Sequence, residues 1–127
     1  MSKKGKVNYF EIPATKMDRA QEFYADAFGW RISPVEGMEY AMLGASDMDN
    51  NGKSKEVGAI SGGIGKKGGQ LKHPVIHIQV DDVDKALERI EDLGGKVVQK
   101  KTPMGQGMFY AYFEDTEGNV LGVWGTK

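Results

Sequence analysis

Apolar and polar positions along the 127-residue chain follow two periods, one of strands and one of helices. Val7 to Ile12 is rich in β-formers and predicts a strand that Pro13 closes. Thr15 and Asp18 have the spacing of a capping box, with Asp in place of the usual Glu. Ala20, Phe23, Tyr24, Ala27 and Phe28 then recur at helical spacing until Gly29 stops the run. Short strands are expected over Trp30–Ile32 and Tyr40–Leu43, with a polar turn over Asp47–Lys55 around Asn51-Gly52. Val57 to Ile64 is apolar but holds three glycines, a thin strand or one that something approaches closely.

The same order returns in the second half. His73-Pro74 leads into a strand over Val75–Val80. Asp81 or Asp82 caps a helix with Val83, Ala86, Leu87, Ile90 and Leu93 on one face, ended by Gly94-Gly95. Strands are predicted over Lys96–Gln99, Met108–Phe113 and Asn119–Trp124, the last two joined by a turn at Glu117-Gly118. Met17-Asp18-Arg19-Ala20 matches Val83-Asp84-Lys85-Ala86 at an offset of 66 residues, and the same offset pairs Tyr9 with Val75, Glu11 with His77 and Gly29 with Gly95. The expectation is an α+β fold: two tandem βαβββ modules, about 7–64 and 74–125 with a linker over 65–73, in one domain spanning 1–127. Neither small sheet covers its own apolar face alone. Packed together they would form one curved mixed sheet, a cup with the helices outside, and a cup lined by alternating side chains suits a small molecule.

Composition narrows the chemistry. Lys+Arg 17 against Asp+Glu 18 leaves a formal charge of −1, which argues against nucleic-acid binding by bulk charge. The basic start is not followed by an apolar stretch, so no signal peptide, no membrane span and a cytoplasmic protein are expected. The chain has no cysteine, which excludes thiolate nucleophiles, disulfides and Cys-based metal sites, and two histidines cannot make a three-His site.

The motifs Phe10-Glu11-Ile12-Pro13, Met17-Asp18-Arg19-Ala20, Phe23-Tyr24, Phe28-Gly29-Trp30, Val80 to Ala86, Leu93 to Val97 and Phe113 to Asn119 resemble the vicinal-oxygen-chelate superfamily. That superfamily includes glyoxalase I, extradiol dioxygenases, and fosfomycin and bleomycin resistance proteins. The resemblance implies four inward ligand positions for a divalent metal, which fall here on Tyr9, Ser61, Val75 and Gly122. Val and Gly carry no ligand, and Ser and Tyr are poor ones for the usual divalent ions. The chain is thus similar to a metal-free, glyoxalase-like branch, with no metal and no cofactor expected. The resemblance also implies a homodimer.

Strand alternation places Tyr9 and Glu11 on one face of the first strand, and Val75, His77 and Gln79 on the equivalent face of the fifth. Glu11 and His77 are the candidate catalytic pair, a carboxylate orienting an imidazole for acid/base work. A structural hydrogen-bonded pair is the plainer alternative. Tyr9, Ser61, Gln79 and Trp124 are candidate ligand contacts; Tyr40, Met42 and Val120 line the cup or belong to the core. His73 is expected at the surface. Asp47 to Gly52 copies half of a calcium loop, but Gly58 stands where the bidentate Glu belongs. Gly63 to Gly68 spells G-x-G-x-x-G with no helix after it, so a dinucleotide site is not expected. Met104 to Met108 is a flexible loop, either a small lid or a plain turn.

The expected function is binding of a small molecule; if the protein is an enzyme, the resemblance implies a lyase or isomerase. One alternative is a metal-dependent lyase, isomerase or dioxygenase with Glu11 and His77 as displaced ligands. Another is a drug-sequestering resistance protein, which the charge of −1 supports little.

Overall fold

The computed structural model describes residues 4–44, 56 and 58–127. The Asp47–Lys55 turn with its partial calcium loop, and Val57 at the start of the expected thin strand, lie outside the described residues. The chain divides into two compact units: Tyr9–Pro74, the N-terminal unit, and the residues up to Asn8 together with Val75–Lys127, the C-terminal unit. The fold class is α+β, and the described elements follow the expected β-α-β-β-β order twice.

The N-terminal unit takes most of β1 (Lys6–Ala14), then α1 (Met17–Phe28), β2 (Arg31–Pro34), β3 (Tyr40–Gly44) and β4 (Ser61–Lys66). Its strands lie in the order β2-β3-β4-β1, antiparallel except for the parallel β1–β4 pair. Pro13 does not close β1: it stays in the ladder opposite Gly65, one residue before the end, where a missing N–H sacrifices at most one ladder bond. The capping box does not form either. Lys16 is the N-cap of α1 without a side-chain cap, and Thr15 instead accepts a hydrogen bond from Arg19 at 3.4 Å. Gly29 ends the helix as expected, in the left-handed region at φ 69°. Phe10, Ile12, Leu43, Ile64, Ala20 and Tyr24 form the core between the sheet and α1. Trp30 stacks on Tyr24 with ring centroids 5.5 Å apart. Phe23 and Phe28, which the periodicity placed on the same helical stripe, are exposed.

The C-terminal unit comprises β5 (Val75–Gln79), α2 (Val83–Asp92), β6 (Lys96–Gly105), β7 (Met108–Glu114) and β8 (Val120–Gly125) in the order β5-β8-β7-β6. Asp82 caps α2 by accepting from the Lys85 N–H at 3.1 Å. Val83 and Leu87 are buried against Ala111, Phe113 and Val123. β6 runs well past its expected end at Gln99. The Met104–Met108 segment is a tight hairpin, with Gln106 and Gly107 both at positive φ as a two-residue turn of this hand requires. The G-x-G-x-x-G run begins inside β4, and the next element is β5, so no helix N-terminus meets it. No described helix is long and apolar enough to cross a membrane. His73 is exposed.

Candidate functional site

Each unit has one face covered by its helix and one face turned away from it, and strand alternation decides what the second face carries. In the N-terminal unit Phe10, Ile12 and Ile64 go to the helix side. Tyr9 and Glu11 of β1, Tyr40 and Met42 of β3, and Ser61 and Gly63 of β4 therefore share the helix-free side. Tyr9 lies opposite Ser61 in the β1–β4 register, and Glu11 opposite Gly63. Gly63 is next to Met42 across the β3–β4 ladder, and a Cβ at 63 would fall on the Tyr40 phenol. The glycine is what admits that ring beside Glu11.

Glu11 is buried, and Tyr40 donates its phenol proton to Glu11 Oε2 at 2.9 Å. The Tyr9 and Tyr40 oxygens are 2.6 Å apart. A phenol has one proton, so with that of Tyr40 committed to the carboxylate, Tyr9 is the donor of this bond. The result is a directed chain, Tyr9 to Tyr40 to Glu11. Burial pushes the Tyr9 phenol up to about 12, with the Tyr40 hydrogen bond opposing and the Glu11 charge adding. Burial raises Tyr40 further still, helped by the charges of Tyr9 and Glu11. Both phenols are thus protonated at neutral pH. An open cleft of about 570 Å³ lies on the α1 side of Tyr40, lined by Lys16, Asp18 and Arg19 at the start of the helix and by Glu39 and Lys66, which pair at 3.4 Å.

In the C-terminal unit Ile78, Ala111, Phe113 and Val123 face α2. His77 and Gln79, Gly122 and Trp124, and Tyr110 and Tyr112 share the opposite side. His77 is buried with its ring over Gly122, its register partner, and meets Tyr112 edge-on at 5.5 Å between centroids. Trp124 Nε1 donates to Asn8 Oδ1 at 3.0 Å, and Asn8 Nδ2 donates to Gln79 Oε1 at 2.8 Å.

Of the residues nominated from sequence, Tyr9 and Glu11 thus meet through Tyr40, and Gln79 and Trp124 meet through Asn8. Glu11 belongs to the N-terminal unit and His77 to the C-terminal unit. Tyr40 was expected only to line the cup or belong to the core, and Asn8, Tyr110 and Tyr112 were not singled out. Tyr40 had a signal, since alternation puts it on the Tyr9 side and the glycine-rich β4 announces a close approach.

A family model described as the Glyoxalase/Bleomycin resistance protein/Dioxygenase superfamily matches residues 6–123. The chain belongs to this superfamily. It is 31% identical over 122 residues to a glyoxylase-like domain-containing protein of Didymella fabae, covering 94% of this chain and 92% of the relative. It shares its fold with a methylmalonyl-CoA epimerase of Streptomyces coelicolor, at TM-score 0.65 and 18% identity over 95% of this chain and 96% of the other. It is also similar to a Mn(II)-bound glyoxalase of Novosphingobium aromaticivorans, at TM-score 0.62 and 17% identity, spanning 99% of this chain but 40% of that one.

The metal that the superfamily implies can be tested against the donors present. In the C-terminal unit Val75 offers no ligand and Gly122 lies under the His77 ring. In the N-terminal unit Tyr9 holds its proton and donates it to Tyr40. The ladders also move one expected position. Glu11 faces Gly63 as its repeat equivalent His77 faces Gly122, so the counterpart of Gly122 is Gly63 rather than Ser61. Gly63 is no ligand either. Among the described residues, no three His, Asp or Glu side chains gather as a metal would need. These positions do not fit a divalent metal.

Proposed function

We propose that the helix-free face of the N-terminal unit binds a small organic carbonyl compound and moves a proton at the carbon next to its carbonyl. The observation that supports this is the directed chain from Tyr9 through Tyr40 to the buried Glu11 carboxylate. Glu11 is the terminal acceptor. As the substrate C–H bond breaks, its proton passes to Tyr9, that of Tyr9 to Tyr40, and that of Tyr40 to Glu11. The bonding electron pair stays on the substrate as an enolate. The step reverses with a solvent proton, and no charge is left on a phenol, which both raised tyrosines would resist. The likeness to a methylmalonyl-CoA epimerase agrees with chemistry of this class.

The test is deuterium wash-in. A panel of small α-keto and α-branched carboxylic acids is incubated in D2O and followed by proton NMR. The expected result is exchange next to the carbonyl of at least one member, slowed about 10²-fold or more in Glu11→Gln and in Tyr40→Phe, the usual contribution of a positioned proton acceptor. Equal exchange in the parent and in folded Glu11→Gln would overturn the reading.

A further inference from the structure

We propose that the C-terminal unit carries a second recognition element, a fixed hydrogen-bond donor at Gln79 Nε2 that takes the carbonyl or carboxylate oxygen of a ligand with a flat apolar body. An isolated carboxamide has no fixed sense, because its oxygen and nitrogen can exchange places. Here the sense is imposed. The indole of Trp124 can only donate, so the Asn8 atom 3.0 Å from it must be the oxygen. Asn8 therefore turns its nitrogen to Gln79, and the Gln79 atom 2.8 Å away must be an acceptor, its own oxygen. The Gln79 nitrogen is then left as a donor at the end of the chain.

That nitrogen has no partner among the described residues, and no buried side-chain polar atom among them lacks one. Gln79 is half-buried, so its unpartnered Nε2 is open to solvent and to a ligand. Its surroundings define the rest of the ligand. Gln79 is the register partner of Trp124 on β8, and Trp124 of Tyr110 on β7. The Tyr110 and Tyr112 rings meet edge-on at 5.8 Å. A row of rings beside one oriented donor suits a planar body with a single acceptor. Asn8 acts only through Gln79 and is a positioning residue. The element shares no residue with the Tyr9–Tyr40–Glu11 chain, so either reading can fail while the other stands.

The experiment titrates the ¹⁵N-labelled full chain with three probes and follows the Gln79 side-chain amide and the Trp124 indole N–H. Acetophenone is a neutral acceptor, benzoate a charged acceptor, and benzamidine has the shape of benzoate but only donors. The expected result is that acetophenone and benzoate shift both signals and benzamidine shifts neither. In Asn8→Asp, residue 8 accepts from both Trp124 and Gln79 Nε2, so Gln79 turns over and presents its oxygen. Acetophenone binding then weakens on the order of tenfold, the loss of one hydrogen bond, while benzamidine gains. Because acetophenone is neutral, its loss is not the work of the new charge. Gln79→Glu, which replaces the donor itself, provides the same loss should Asn8→Asp not fold. Equal shifts from acetophenone and benzamidine, no shift from any probe, or a preference that survives in the folded variants would overturn the proposal.

Discussion

The His77 imidazole lies over Gly122, its register partner across the β5–β8 pair, in the space that a Cβ at 122 would need. The Tyr40 phenol does the same to Gly63, the register partner of Glu11. Glu11 and His77 are equivalent in the repeat, so the two units make the same use of a bare strand position. A glycine beside a polar residue admits a ring, and the ring fills the space that a side chain at the glycine would need.

Gly122→Ala should be destabilising for this reason alone, since Gly122 is not among the residues at positive φ. Its methyl meets the buried His77 ring, and overpacking of this kind costs about 1–3 kcal/mol. Combining it with His77→Ala should relieve the clash, so the double variant loses less than the sum of the single losses. Urea denaturation of the four proteins measures this, and strict additivity would show that the ring and the methyl do not compete.

The repeat offset, the two helices with Gly29 at one end and a cap at Asp81 or Asp82, and the shared strand faces of Tyr9 with Glu11 and of His77 with Gln79 were legible because each rests on local periodicity or a local cap. The links that organise the site were not. Tyr40 reaches Glu11 only through the β3–β4–β1 register, and Trp124 reaches Asn8 across 116 positions of sequence. The length of β6 was hidden for another reason. Its register shifts at Gln99 and again before Thr102, and such bulges break the alternation that announces a strand. The helix stripe of α1 misled at Phe23 and Phe28, since spacing gives a face but not how much of it the sheet covers.

Asp115 pins the β7–β8 turn. Its carboxylate accepts from the Asn119 side chain at 3.0 Å and from the backbone N–H groups of Asn119 at 2.9 Å and Glu117 at 2.8 Å. The Asn119 side-chain bond first, then the backbone bonds, hold its pKa below the ordinary 3.8. A depressed carboxyl contributes stability above its unfolded value that is lost as pH falls through the folded one. The turn should therefore loosen in acid, below pH 3.8. At neutral pH, Asp115→Ala should speed amide hydrogen exchange at Glu117 and Asn119 while leaving α2 unchanged; protection equal to that of the parent would remove Asp115 from this role.

Two leucines separate core from surface. Leu43 is 1% exposed and packs with Ile64 and Ala14, whereas Leu93 at the end of α2 is 66% exposed. Leu43→Ala should cost about 2–5 kcal/mol, the lost transfer energy plus the cavity. Leu93→Ala should stay within about 0.5 kcal/mol of the parent, as surface changes do. Denaturant midpoints at constant slope decide between them.

The tyrosine chain makes stability depend on alkaline pH. Burial is the largest cause that lifts Tyr9 from 10.0 to about 12, and it is also the largest for Tyr40, which rises further. In the window between these Tyr9 values the folded protein keeps a proton that the unfolded chain releases. The folded state thus binds more protons than the unfolded state, and stability falls as pH rises. The contribution is fully present below pH 10 and is lost as pH climbs through the folded value. Tyr9→Phe cannot ionise at this position, so its stability should fall less steeply above pH 10, by the equivalent of about one proton. Glu11→Gln removes the carboxylate charge, a smaller cause than burial, and should lower the Tyr9 titration without returning it to 10.0. Urea denaturation between pH 8 and 11, with phenolate absorbance read on the same samples, follows both effects. Parallel stability curves for the parent and Tyr9→Phe would mean that Tyr9 titrates as an open phenol and that the chain to Glu11 does not hold it.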